Sequence, residues 1–284
     1  MEQLQIEQNR PLEEGAKVFL SASEAEEYRA FKRQKRIREV ETSFLKSEVS
    51  ALSRGEGVSS LRFSVESAKR LNAFAVKVNP TGVALAKRLL SGSKTSVDCV
   101  VGGTGESFLK TKVFETKLAR KSGAKEISLR PSLFAIKNGR FSEVKKEIKK
   151  VQKAAKKSTV KVIAERALCY NEILVLGKIL SVLKGKFLSV EYFEGCEKLK
   201  RDLLDGCMLE VTGVKDAEVY RRLVSAGVER VVSDRAEELY HKLLDRAKER
   251  PVLEFEPPKA PVHTSSKEPL NVVADKKLLT GFDK

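Results

Sequence analysis

The sequence predicts an α/β fold in which parallel strands are joined by helical crossovers. Three observations carry this. From about residue 58 onward, short β-branched runs recur, each followed by an amphipathic stretch with helical spacing. The strand runs are nearly continuously apolar, as expected of a sheet covered on both faces. The 284 residues, 41% of them hydrophobic, suffice for one full-sized core. That length fits one α/β barrel with extensions or two smaller domains.

In chain order, residues 1–20 are mixed, with Pro11, Gly15 and a short apolar KVFL. Ser21 or Ser23 is placed to cap a helix whose first turn holds Glu24, Glu26 and Glu27, matched to the positive helix end. This helix is expected to continue to about residue 52, where SRGEG breaks it. Seven strands are legible: FAVKVN (74–79), SVDCVV (96–101), EISLR (126–130), VKVIA (160–164), KFLSVE (186–191), CMLEV (207–211) and ERVVS (229–233). Helical stretches lie between them at 82–91, 107–122, 141–156, 170–184, 215–226 and 235–248. An eighth strand, preceding the others, is expected from VSSLRFSV or thereabouts. Four prolines in 251–261 mark an extended tail with apolar points at NVV and LLTGF. The expected division is therefore an extension with a basic helix (1–57), an α/β body (58–250) and a proline-rich tail (251–284).

A closed barrel and an open doubly wound sheet share this alternation. A dinucleotide-binding sheet is disfavoured, because no complete G-x-G-x-x-G follows the first strand. No cofactor is expected. VVGGTGES (100–107) is glycine-rich between strand and helix. It suits either a phosphate contact through Gly102, Gly103 and Gly105 or simply a tight turn.

Several segments resemble the deoxyribose-phosphate aldolase family. VKVNPTGVALAKRLL (76–90) is similar to its second strand and helix. VDCVVGGTGESFLKTKVFETKLARKSGAKEISL (97–129) is similar to its third strand, glycine turn, helix and fourth strand. LFAIKNGRFSEVKKEI (133–148) and VKVIAE (160–165) resemble the next turn, helix and fifth strand. The likeness runs over roughly residues 74–245. It implies a (β/α)8 TIM barrel with its site at the C-terminal ends of the strands, and an aldehyde-lyase chemistry that runs through a lysine imine on deoxyribose 5-phosphate.

The residues at the implied positions differ from the family's. Ser128 stands where the family has an acid–base aspartate, and Ser132 where it has an asparagine. Ser189 takes the place of the imine lysine, and Glu210 that of a second lysine. The phosphate-binding turn of the eighth strand becomes Val232-Ser233-Asp234-Arg235, in which Asp234 repels a phosphate and Arg235 offsets it. Gly213, Ser233 and Arg235 are the remaining anion-binding candidates.

One other lysine stands out. Lys77 is a charge inside an apolar strand, and burial would lower its pKa and make it nucleophilic. With Glu165, Glu191 and Glu210 it could form a rearranged site. The plainer expectation is that Lys77 is a buried charge satisfied by Glu210. No spacing supports a metal site, although three carboxylates with serines would suit magnesium better than zinc. His241 and His263 are not placed for catalysis. Cys99, Cys169, Cys196 and Cys207 lack C-x-x-C spacing and read as reduced, mostly buried thiols.

Lysine and arginine exceed the acids by 16. They cluster at Lys32, Arg33, Lys35 and Arg36, and again at Lys145, Lys146, Lys149, Lys150 and Lys153, where Val144, Ile148 and Val151 are left to pack inward. Such runs are commonly solvated helix faces, but the net charge favours a nucleic acid or another polyanion as partner. With 6% aromatics and no tryptophan, base readout is not suggested. No apolar run is long enough for a membrane span and no signal peptide is legible, so a cytoplasmic protein without membrane contact is expected. The functional expectation is an aldolase-like barrel without imine chemistry that serves binding, assembly or regulation. It would act as a homodimer or through residues 21–46 or 251–284. An aldolase or lyase using Lys77 and a polyanion-binding protein are the alternatives.

Overall fold

Eight parallel strands hydrogen-bond in sequence order and close on themselves, so the sheet is a barrel rather than an open, doubly wound one. The computed structural model describes residues 17–20, 22–52, 57–203, 206–249 and 270–273. Two units are present, one of Arg38–Ala247 and one of Met1–Ile37 with Lys248–Lys284.

The barrel strands are β2 (Glu48–Ser50), β3 (Ala75–Val78), β4 (Ser96–Val101), β5 (Glu126–Leu129), β6 (Thr159–Ala164), β7 (Phe187–Glu191), β8 (Met208–Thr212) and β9 (Arg230–Ser233). The last seven coincide with the runs legible in the sequence to within a residue or two. The first does not. VSSLRFSV belongs to helix α2 (Val58–Arg70), whose Val65 and Ala68 are buried at helical spacing. The first strand is instead Glu48-Val49-Ser50, inside the stretch expected to be helical and to belong to the extension. Helix α1 (Ala22–Phe44) stops earlier because Phe44 turns into the core. There it stacks on Tyr220 at 5.1 Å and meets the edge of Tyr240 at 4.9 Å. Three residues, one of them charged, leave too little periodicity to read as a strand.

Around the barrel lie α3 (Val83–Leu89), α4 (Leu109–Lys121), α5 (Leu133–Lys137), α6 (Phe141–Ala155), α7 (Tyr170–Val182), α8 (Leu199–Asp202), α9 (Ala217–Ser225) and α10 (Ala236–Glu249). Their starts follow local chemistry. Ser132 accepts from the Ala135 amide at the head of α5, and Asp216 accepts from Glu218 and Val219 at the head of α9. Each helix buries one stripe on the outward faces of the strands. Val144, Ile148 and Val151 of α6 are fully buried, as its spacing predicts.

In the other unit, β1 (Lys17–Leu20) pairs antiparallel with β10 (Leu270–Val273), Lys17 opposite Val273. The NVV of the tail thus finds KVFL. The other tail features expected from the sequence, LLTGF and His263 among them, lie outside the described residues, as do Ser21 and residues 53–56.

Candidate functional site

Side chains on a strand alternate between faces, so each barrel strand sends every second residue inward. Barrel interiors are ordinarily filled by branched apolar residues. This one is filled with charge. The register sets Lys77 beside Asp98, Asp98 beside Glu126, Ser128 beside Lys161, and Ser189 beside Glu210, which in turn lies beside Arg230. The residues between them (Val76, Cys99, Ile127, Val162, Leu209, Val231) face outward and join the apolar packing under the helices.

Lys161 is at the centre, with no exposed surface. Its Nζ lies 2.6 Å from Glu48 Oε2, 2.6 Å from Glu210 Oε2, 2.9 Å from Glu126 Oε2 and 3.0 Å from Asp98 Oδ2. Lys77 donates to Glu210 Oε1 at 2.5 Å and to Ser128 Oγ at 3.3 Å, and lies 3.3 Å from Asp98 Oδ2. Ser128 donates to Asp98 at 2.7 Å, and Ser189 to Glu210 at 2.7 Å. At the N-terminal end of the strands, Arg230 donates to Glu126 at 2.6 Å. Its guanidinium lies 4.2 Å from the Phe74 ring centroid and 4.5 Å from that of Phe187.

Four carboxylates face three cations, so one excess negative charge would remain if all were ionised. Such a charge is costly where no water screens it. Burial raises the Glu48 carboxyl well above the ordinary range, more than Lys161 and Lys77 lower it. Burial acts likewise on Asp98 and Glu210, but there Lys161 and Lys77 prevail. Asp98 falls well below its usual value, and Glu210 to about 2. The raised Glu48 carboxyl is the member of the set that most readily takes a proton and so lessens that excess. Glu48 Oε1 and Asp98 Oδ1 are buried and lack a hydrogen-bond partner among the described residues, so either could share such a proton. Oxygens of Glu48, Asp98 and Glu210 come within 4.8 Å of one another, as metal ligands would. The ammonium of Lys161 already contacts all three and takes the cation's role.

Above this layer, at the C-terminal ends of the strands, opens a cavity of about 370 Å³. Lys77 and Ser189 lie in its floor, and Glu165, Glu191, Gly213 and Asp234 are on its wall. Its rim charges are paired: Arg130 with Glu165 at 3.4 Å, Arg166 with Glu191 at 3.5 Å, and Lys215 with Asp234 at 3.7 Å. Of the expected constellation, Lys77 and Glu210 meet directly, while Glu165 and Glu191 are held by rim arginines.

No family model matches the chain. The deoxyribose-phosphate aldolase of Staphylococcus saprophyticus is 36% identical over 179 residues, 59% of this chain and 81% of that protein. The chain belongs to the deoxyribose-phosphate aldolase family. Deoxyribose-phosphate aldolase 1 of Staphylococcus aureus matches to the same extent. Among solved structures, the aldolase QR15 superposes with a TM-score of 0.66 at 23% identity over 72% of this chain and 96% of its own. The tetrameric deoxyribose phosphate aldolase of Aeropyrum pernix gives 0.63 at 18%, over 78% and 98%. These likenesses support the same barrel.

Within this aldolase-family barrel, the glycine-rich turn has a packing role. Gly102 and Gly105 have φ of +99° and +93°, and a Cβ on either would approach the carbonyl oxygens of Arg130 and Pro131 to 2.7 and 2.6 Å. The Gly102 amide already donates to Glu115, and Gly105's carbonyl accepts from buried Lys112, which also pairs with Glu147. The Gly105 amide donates to the Gly102 carbonyl at 2.7 Å, so the amides of Gly102 and Gly105 are both spent as anion ligands, and the Gly103 carbonyl accepts from Arg130 at 3.2 Å. Ser233 is buried and accepts from the Arg235 amide, while Arg235 is exposed, 4.0 Å from Glu238. The basic runs on α1 and α6 are solvated: Arg33, Lys35, Lys145, Lys146, Lys149, Lys150 and Lys153 are exposed, and Lys32 and Arg36 half-buried. His241 is exposed on α10. Cys99, Cys196 and Cys207 are buried free thiols, but Cys169 is exposed because it heads α7, where its amide donates to Glu172.

Glu48, Asp98, Glu126, Lys161 and Arg230 were not singled out by sequence. Their common signal was available: one charge at an inward position of nearly every strand, flanked by apolar residues.

Proposed function

We propose that this member of the deoxyribose-phosphate aldolase family has given up imine chemistry and works as a binding or assembly barrel. The observation that carries this is the state of Lys77, the lysine in the floor of the mouth cavity. A nucleophilic lysine needs a neutral amine for part of the time. Burial pushes the Lys77 ammonium down, but the surrounding carboxylates, Glu210 foremost, more than reverse that, and its pKa lies above the ordinary lysine value. Its protons are directed at Glu210 and Ser128. The family resemblance of the sequence supports the same reading, since it implies Ser189 at the imine-lysine position and Glu210, an anion, at that of the second lysine. No helix of the described residues is long and apolar enough to cross a membrane. Self-association is the assembly most in keeping with a family that includes a tetramer.

Borohydride trapping with deoxyribose 5-phosphate and simple aldehydes, read by intact mass and peptide mapping, tests this. No adduct is expected while an active family aldolase labels fully alongside. An adduct confined to Lys77 or another barrel lysine would establish an imine-forming enzyme and overturn the proposal.

A further inference from the structure

The opposite end of the barrel holds a second and larger cavity, of about 620 Å³, where β4, β5 and β6 begin. Five cations line it: Lys94, Arg120, Lys125, Lys156 and Lys157. They come from three separate loops and the end of α4, so the cluster is made by the fold and not by one lysine-rich helix face. None forms an ion pair among the described residues, whereas nearly every cation of the mouth does. One carboxylate lies on the wall, Glu126, and it is already neutralised by Arg230 at 2.6 Å and Lys161 at 2.9 Å.

Three further features mark the cavity. Arg120 Nε is buried and has no hydrogen-bond partner among the described residues, which is costly for a charged donor unless something is supplied from outside. Phe74 is 44% exposed on the wall, although its ring packs on Arg230. Lys156 also holds a φ of +54°, a region that side-chain-bearing residues rarely adopt, and it carries Lys157 with it at the cavity edge.

The volume is that of a small-molecule site. A nucleic-acid strand requires a charged groove with successive stacking platforms, and here a single exposed ring borders one concavity. Five uncompensated cations exceed what a monophosphate neutralises. We propose that this cavity binds a nucleoside polyphosphate, the lysines and Arg120 taking the phosphates and Phe74 bordering the base. The site is remote from the mouth and does not depend on whether imine chemistry survives.

Isothermal titration of the full chain with ATP, tripolyphosphate and adenosine tests this. ATP is expected to bind, and to weaken as salt rises from 50 to about 200 mM. Arg120→Ala should weaken it by about tenfold or more, the usual scale for one charge-assisted hydrogen bond. Lys125→Glu with Lys157→Glu should abolish binding, while Lys145→Glu with Lys149→Glu, on the outer face of α6, should leave it unchanged. Unchanged urea midpoints would show that the variants remain folded. Absence of ATP binding, or equal losses in the cavity and outer-face variants, would overturn the site. Tripolyphosphate binding as tightly as ATP would overturn the role given to Phe74.

Discussion

Lys161 on the fifth barrel strand reaches Glu48 on the first, Nζ to Oε2 at 2.6 Å, across the barrel and with both side chains out of contact with water. A buried pair of this kind does little for stability compared with an apolar filling of the same shape, but removing one partner strands the other. Lys161→Met should therefore destabilise the barrel by about 3–5 kcal/mol at neutral pH. The loss should shrink as the pH falls toward 4 and the stranded carboxylates take up protons. Urea unfolding across that range measures it; a pH-independent loss would mean that packing, not charge, is responsible.

Glu210 holds Lys77 through one oxygen and Lys161 through the other. Lys77→Ala and Glu210→Ala should each destabilise the fold, and the double variant should be more stable than the sum of the two predicts, by about 0.5–3 kcal/mol. Recovery should be incomplete, because Lys161 also loses an acceptor. Simple additivity in the double-mutant cycle would contradict direct coupling.

The pH dependence has two limbs of opposite sign. Asp98 and Glu210 have depressed pKa values, so their contribution is present above the ordinary carboxylate range and lost as the pH falls, for Glu210 toward about 2. Glu48 is raised, so the folded chain binds a proton that the unfolded chain releases, and stability declines as the pH rises from about 4.5 toward the folded value. Glu48→Gln keeps a hydrogen-bond donor without an ionisable group. It should flatten the decline above pH 5 and leave the acid limb in place. An unaltered profile would locate the extra proton elsewhere.

Gly102→Ala and Gly105→Ala test the glycine turn. Positive φ and carbonyl oxygens 2.7 and 2.6 Å from the new Cβ predict a fall in stability of about 2 kcal/mol or more. Thermal unfolding checks this; wild-type midpoints would show that the turn yields and that close packing is not what the glycines serve.

Seven strands were legible because β-branched runs and intervening amphipathic stretches are local signals. Glu48-Val49-Ser50 was not, since its identity as a strand comes from pairing with β3 and β9, residues far away in sequence. The site divides in the same way. Lys77 and Glu210 stood out singly as charges in apolar strands, and their contact followed from the cost of burying either alone. Lys161, equally placed within VKVIA, passed unnoticed because its partners come from the first, third, fourth and seventh strands of the barrel. Only closure brings them together. The basic cavity was illegible for a related reason, as no two of its loops are neighbours in a helical or strand pattern.

The charged interior also bears on how such a chain reaches its fold. A barrel lined with valine and leucine offers a sticky inner wall whenever a strand is missing, and incomplete forms associate through it. Here an unfinished sheet presents lysine, aspartate and glutamate to the solvent, and water wets it. The contact of Glu48 with Lys161 needs the first strand beside the eighth. A strand displaced by one residue would point its charge into the apolar layer under the helices. In the closed ring each inward charge meets a counter-ion, and an error of register would leave one without.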